Sequence, residues 1–199
     1  MDQNNLFPVF LKLEELNTLL VGGGNVALEK LSAILKNSPN ARVTVVAPLI
    51  REPLRSLAGS SPNVKIIERD FRRWDLWNKS LVVLATDNKP LHQRIRKISQ
   101  RRNLLINVAD TPDLCDFYLG SVVTKGNLKI GISTNGKSPT IAKRMREYLE
   151  EALPDDTNIL LENMRAIRDK MKGDFDEKVK ALNEITSSWL NKPDSPQGK

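Results

Sequence analysis

The sequence predicts an α/β fold in which a parallel sheet alternates with helices and is followed by a hairpin and a helical C-terminal segment. Three observations carry this reading. A short apolar strand, Thr18-Leu19-Leu20-Val21, runs into Gly22-Gly23-Gly24-Asn25-Val26-Ala27 and then into a helical pattern. Apolar runs of strand length alternate with helix-period segments as far as Pro112, the rhythm of βα units. Leu81-Val82-Val83-Leu84-Ala85 is apolar at every position, as a strand buried on both faces must be.

The spacing Gly22-x-Gly24-x-x-Ala27 is a turn that lets a dinucleotide pyrophosphate approach a helix N-terminus. Gly22 permits the tight turn, Gly24 puts no side chain in the way of a phosphate, and Ala27 lets helix and strand pack closely. A ligand-free glycine-rich turn has the same spacing. The preceding apolar strand and the following amphipathic helix are the context that favours the binding reading.

In chain order, Phe7-Pro8-Val9-Phe10-Leu11 is too short for a helix, and Pro8 suits an edge strand or a leading extended arm. After the glycine turn, Val26, Ala27, Lys30, Leu31, Ile34 and Leu35 recur at helical spacing until Asn37-Ser38-Pro39-Asn40. The β-rich run Arg42 to Ala47, stopped by Pro48, completes a βαβ unit. A short helix from Arg51 to Ala58, a strand from Val64 to Glu68 and a turn or helix from Trp74 to Trp77 come next. The strand Leu81 to Ala85, a helix from Lys89 to Arg101 carrying Leu91, Ile95 and Ile98 on one side, and the strand Leu104 to Val108 complete the alternation. In an open sheet of this Rossmann type the strand C-terminal ends line the ligand crevice. Thr86, Asp87, Asn107 and Asp110 therefore belong on one rim with Gly22.

After Pro112 the rhythm changes. Phe117 to Val123 and Leu128 to Thr134, joined through Lys125-Gly126-Asn127, read as an antiparallel hairpin, which needs a further partner to be stable. Ser138 caps and Pro139 opens a helix carrying Ile141, Met145, Leu149 and Ala152. Leu160, Met164, Ile167 and Met171 mark another, ended by Gly173, and Phe175, Val179, Leu182, Ile185 and Trp189 a last one. These stripes fit core or dimer packing. The polar tail from Asn191 to Lys199 is expected to be disordered.

Composition narrows the chemistry. With one cysteine and one histidine in 199 residues, neither an internal disulfide nor a conventional zinc site can form. No apolar stretch approaches the roughly 20 residues that span a bilayer, so a soluble cytoplasmic protein is expected. The net charge of +7 implies an acidic partner: nucleic acid, a membrane surface or a polyanionic small molecule. Basic clusters such as Arg94, Arg96, Lys97, Arg101 and Arg102 read equally well as solvated helix faces. An aromatic content of 5% without a basic/aromatic stripe argues against nucleic acid. The second strand ends Val46-Ala47-Pro48-Leu49, without the acid that often holds an adenosine ribose. Backbone groups would hold the ribose, Arg51 leaves a 2′-phosphate conceivable, and spacing alone does not choose between NAD and NADP.

Four motifs in order and spacing, spanning about Phe7 to Leu153, resemble the precorrin-2 dehydrogenase family, which includes the N-terminal module of siroheme synthase. They are Leu20 to Ala27, Ala85-Thr86-Asp87, Asn107-Val108-Ala109-Asp110-Thr111-Pro112 and Ile132-Ser133-Thr134-Asn135-Gly136-Lys137-Ser138-Pro139. The resemblance implies NAD-dependent oxidation of precorrin-2 to sirohydrochlorin, in some members followed by insertion of ferrous iron, a second substrate, to give siroheme. It implies a homodimer whose hairpin and helical segments build the tetrapyrrole cleft, and a polycarboxylate substrate that accounts for the basic balance. On this reading residues 1–112 form the NAD-binding domain, 113–147 the dimerisation region, 148–190 a helical domain and 191–199 the tail.

The family's catalytic aspartate falls on Asp110, a sensible general base beside a hydride acceptor; by turn preference alone Asp110 could instead cap the turn at Thr111-Pro112. The resemblance and the rim place Gly22, Gly23, Gly24, Asn25, Val26, Pro48, Leu49, Thr86 and Asn107 around NAD. Ser133, Thr134, Asn135, Gly136 and Ser138 fall near the substrate, with no resident metal. Thr134 stands where some members have serine and Asn135 where glycine is frequent, which counts against phosphorylation-type regulation there. His92 stands where asparagine is common and reads as a helix-surface histidine. Siroheme synthase fusions append a methyltransferase domain. Lys199 ends the chain before one could begin, so a stand-alone enzyme is expected. A rival reading, a non-catalytic NAD(H)-sensing dimeric protein, leaves the Asn107 and Ser133 motifs unused.

Overall fold

A computed structural model describes residues 3–171 and 174–187. Gly173 as a helix end, Trp189 and the tail from Asn191 lie outside the described residues. The strands are β1 (Asn17–Val21), β2 (Arg42–Ala47), β3 (Val64–Glu68), β4 (Leu81–Leu84), β5 (Leu105–Val108), β6 (Ser121–Lys125) and β7 (Leu128–Ile132). The helices are α1 (Asn25–Asn37), α2 (Glu52–Gly59), α3 (Lys89–Arg101), α4 (Pro139–Ala152), α5 (Thr157–Lys170) and α6 (Phe175–Thr186). The described residues divide into two compact units, residues 3–122 with 131–144 and residues 123–130 with 145–171 and 174–187.

The first unit holds a five-stranded parallel sheet in the order β3-β2-β1-β4-β5. Side chains alternate across a strand, so the apolar runs serve two cores at once. Leu20, Val43, Val45 and Val83 pack with Ala27, Leu31, Ile34 and Leu54 on one face. Leu19, Val21, Val82, Leu84, Ile106 and Val108 pack with Leu76 and Ile95 on the other.

The outer edge of β5 is covered by the segment after a 3-10 turn at Pro112–Leu114. The Asp116 N–H donates to the Ile106 carbonyl (2.7 Å), and the Ile106 N–H donates back to the Asp116 carboxylate (3.1 Å). The Val108 N–H points at the Cys115 sulfur (3.1 Å) and the Asn107 amide donates to the Phe117 carbonyl (2.9 Å). An otherwise open strand edge is thereby satisfied. Burial within this clasp pushes the Cys115 thiol up, away from thiolate character at neutral pH.

Two segments take one of the forms expected for them, and the hairpin boundary differs. Phe7 to Leu11 carries no strand and is an exposed arm, with Phe7 86% and Phe10 72% accessible. The segment around Trp74 is a 3-10 turn, Arg73–Leu76, held by the Asp75 carboxylate, which accepts from the Arg72 N–H and takes a two-pronged bond from Arg69. The hairpin starts at Ser121 rather than Phe117, because the Phe117 carbonyl is occupied at the edge of β5.

In the second unit, the turn Gly126-Asn127 is fixed by Asn158, whose side-chain oxygen accepts from the Asn127 N–H (3.0 Å) and amide (2.9 Å). Lys125 pairs with Asp155. The apolar stripes of α5 and α6 are only partly covered among the described residues: Leu160, Met164, Met171 and Leu182 are half-buried, and Ile167, Phe175, Val179 and Ile185 are exposed.

Candidate functional site

The rim expected from sequence forms at the C-terminal end of the sheet. Past the strand ends the ladder continues, with the Gly22 N–H on the Val46 carbonyl (3.0 Å), the Ala85 N–H on Val21 (2.8 Å) and the Ala109 N–H on Leu84 (2.9 Å). These bonds align Gly22, Thr86 and Asp110 at the ends of three adjacent strands.

The three glycines have different reasons to be glycine. Gly22 has φ +138, and a Cβ there would lie 2.2 Å from the Ala85 carbonyl oxygen. A Cβ on Gly23 would lie 1.9 Å from the Leu49 carbonyl oxygen. Gly24 has no neighbour within 4 Å of where its Cβ would be. Two glycines thus let main chains pass, and the third keeps a space open. Gly24 is also the N-cap of α1, with no side-chain cap and no acidic residue in the first turn. The helix therefore presents its positive end and unshared N–H groups into the space that Gly24 leaves. A dinucleotide pyrophosphate fits this cradle, and Asn25 and Val26, the first residues of α1, would flank it. Pro48 and Leu49 follow β2, both exposed, with Leu49 73% accessible and free to offer an apolar face to an adenine.

Asp110 is exposed and has a left-handed backbone, φ +56, a conformation Asp tolerates better than most residues and one that recurs at functional sites. Among the described residues its carboxylate has no hydrogen bond or ion pair. The turn that follows has Thr111 as its N-cap and no side-chain cap, so Asp110 is not used as a cap. It is a carboxylate held at the rim with its proton-accepting oxygens free.

Thr86 and Asn107 are placed differently from each other. The Asn107 amide, buried within β5, is engaged by the edge segment. The Thr86 hydroxyl sits 2.9 Å from Nε2 of His92 and accepts from the Asn88 N–H (3.3 Å). His92 corrects the surface reading: it is only 3% exposed. Burial pushes its imidazole pKa down, against the opposing pull of the Thr86 bond and the Asp87 charge, so the ring stays neutral at neutral pH. Its Nδ1 is buried without a partner. The signal was present in sequence, since His92 is in helical register with Ile95 and Ser99, which are also buried.

The loop between β7 and α4 is shaped by its own hydroxyls. The Thr134 hydroxyl accepts from the Ser138 N–H (3.2 Å) and donates to the Ser138 carbonyl (3.1 Å). Asn135 and Gly136 both have positive φ. The Ser133 hydroxyl accepts from the Asn135 N–H (3.2 Å) and the Asn4 amide (3.3 Å), while the Ser138 hydroxyl accepts from the Ile141 N–H and caps α4. A residue that sequence spacing only brushed against is Arg51. Its N–H donates to the Gly23 carbonyl (3.0 Å) and its guanidinium to the Asn25 side-chain oxygen (2.6 Å).

Strand order, glycine turn and uncapped helix N-terminus together define a dinucleotide-binding α/β domain. The comparisons agree. The chain belongs to the family described as "Putative NAD(P)-binding", whose model matches residues 9–121. A second family model, "Sirohaem biosynthesis protein central", matches residues 125–152. The siroheme synthase of Psychrobacter arcticus is 35% identical over 185 residues, 93% of this chain and 32% of that protein. That of Psychrobacter cryohalolentis is 34% identical, over 93% of this chain and 34% of its own length. The chain thus spans about a third of the length of the curated relatives it matches. A solved structure titled "SirC, precorrin-2 dehydrogenase" shares the fold, with a TM-score of 0.69 at 24% identity, covering 90% of this chain and 89% of that one.

Proposed function

We propose that the chain is an NAD-dependent dehydrogenase that oxidises precorrin-2 to sirohydrochlorin in siroheme biosynthesis. The observation that carries this reading is the unpaired Asp110 carboxylate on the same rim as the open glycine turn. The siroheme synthase relatives and the match over residues 125–152 supply the substrate class. NAD, when bound, accepts the hydride. The N-terminus of α1 and the space at Gly24 hold the pyrophosphate, and Leu49 covers the adenine. Oxidation removes two hydrogens from the macrocycle, one as hydride and one as a proton. Asp110 takes the proton, and its exposure returns that proton to solvent. The Thr86 hydroxyl, fixed by neutral His92, lines the rim beside it.

The same carboxylate suits ferrous iron insertion, in which two pyrrole N–H protons must leave as the metal substrate enters. The exposed stripes of α5 and α6 support a homodimer. A cytoplasmic location is consistent with a helical complement in which, among the described residues, no helix is long and apolar enough to cross a membrane.

The test is anaerobic incubation of the purified protein with precorrin-2 and NAD, following NADH and the sirohydrochlorin spectrum. Asp110→Asn is expected to keep NADH binding and lose turnover by about 100-fold or more. Full turnover in Asp110→Asn removes the base assignment. NADH binding with neither tetrapyrrole binding nor turnover favours the sensor reading. Sirohydrochlorin and ferrous iron, compared with an enzyme-free control, decide the insertion step.

A further inference from the structure

We propose that Arg51 is a pyrophosphate clamp, adding a guanidinium to the dinucleotide cradle and held in place by Asn25. This rests on the dinucleotide reading of the glycine turn. Arg51 precedes α2, yet both of its anchors lie on the turn after β1: the main-chain N–H on Gly23 and the guanidinium on Asn25. Only one of the five guanidinium N–H donors is named in that bond, and among the described residues no carboxylate pairs with Arg51.

The arrangement brings a full positive charge to the positive end of α1, a helix whose first turn carries no acid. Asn25 is a neutral bridge between them. An aspartate there would neutralise the arginine and leave the cradle weaker for anions, whereas an amide orients the planar fork and keeps its charge. The ligand this juxtaposition recognises is an anion seated at the helix N-terminus, which in a dinucleotide is the pyrophosphate. A 2′-phosphate belongs instead at the end of β2, beside Ala47 and Pro48. That end packs against the same turn, with Ala47 and Leu49 beside Gly23, and the NADH and NADPH arms of the test separate the two anions.

The test is direct binding of NADH and of NADPH, read by nicotinamide fluorescence over a range of salt, for the wild-type protein and for Arg51→Ala, Arg51→Lys and Asn25→Asp. Thermal melts confirm that each variant is folded. Arg51→Ala is expected to weaken both ligands by the same factor, about tenfold to 100-fold, and to flatten the salt dependence. Arg51→Lys falls between, because it keeps the charge and loses the fork. Asn25→Asp weakens both ligands although Arg51 is intact. Unchanged NADH binding in Arg51→Ala and Asn25→Asp overturns the proposal, as does a loss confined to NADPH, which assigns Arg51 to the 2′-phosphate. Failure of the wild-type protein to bind NADH refutes the dinucleotide reading itself, and the clamp with it.

Discussion

In the glycine turn the constraints come from main-chain atoms of the same unit, whereas among the described residues Ile167, Phe175, Val179 and Ile185 of α5 and α6 have no such cover. Gly22 and Gly23 pass close against the Ala85 and Leu49 carbonyls, and the Gly22 N–H extends the sheet ladder to Val46. Ile167 on α5 and Val179 and Ile185 on α6 lie in helical apolar stripes and yet remain exposed. The first region is finished when its own unit folds. In the proposed homodimer the second is finished by association. A binding cradle built from backbone tolerates almost no change in its glycines, while a surface built from side chains tolerates change until a partner is required.

The largest effect expected from this contrast lies within the turn itself. Gly23→Ala drives a methyl group into the Leu49 carbonyl, so it should both lower the melting temperature and abolish measurable NADH binding. Gly24→Ala meets no protein atom. It should shift the melt by no more than about 3 °C and still weaken NADH by about tenfold or more, because its methyl group occupies the phosphate space. Equal melting losses in the two variants would break the distinction.

An intermediate effect is expected at the other region. On the proposed homodimer, Val179→Asp should shift the sedimentation coefficient from dimer to monomer at micromolar concentration and leave the NADH dissociation constant where it was. A large loss of NADH affinity in that variant would mean that the two regions do not act separately.

The smallest effect concerns His92. Its folded pKa lies below the unfolded value of about 6.5, so the unfolded chain takes up the proton first as the pH falls. Stability should therefore drop as pH decreases below about 6.5, and His92→Asn should flatten that part of the stability profile. Denaturant melts between pH 5 and 8 measure it.

The legible parts of the fold were those in which one residue answers to its near neighbours in sequence. Strand runs, the Ser138 cap, the Pro139 helix start and the rim at Gly22, Thr86 and Asp110 all follow from local period and from the rule that parallel strands end together. What spacing did not show were contacts between distant segments. The Leu49 carbonyl against Gly23 and Arg51 on Asn25 each depend on how two loops cross. His92 was misplaced because a lone imidazole in a basic helix resembles a solvated one. Its register with Ile95 and Ser99 was the better guide. Asn107 shows the same limit from the other side: being near the rim does not say which way an amide is engaged.

The backbone framing of Gly22 and Gly23 has a calorimetric consequence. A cradle in which the Gly22 N–H is bonded to the Val46 carbonyl and the Gly23 carbonyl to the Arg51 N–H has little conformational entropy left to lose when a dinucleotide arrives. Titration should therefore give a small heat-capacity change, set by the contact surface alone, without the larger negative component that accompanies folding coupled to binding.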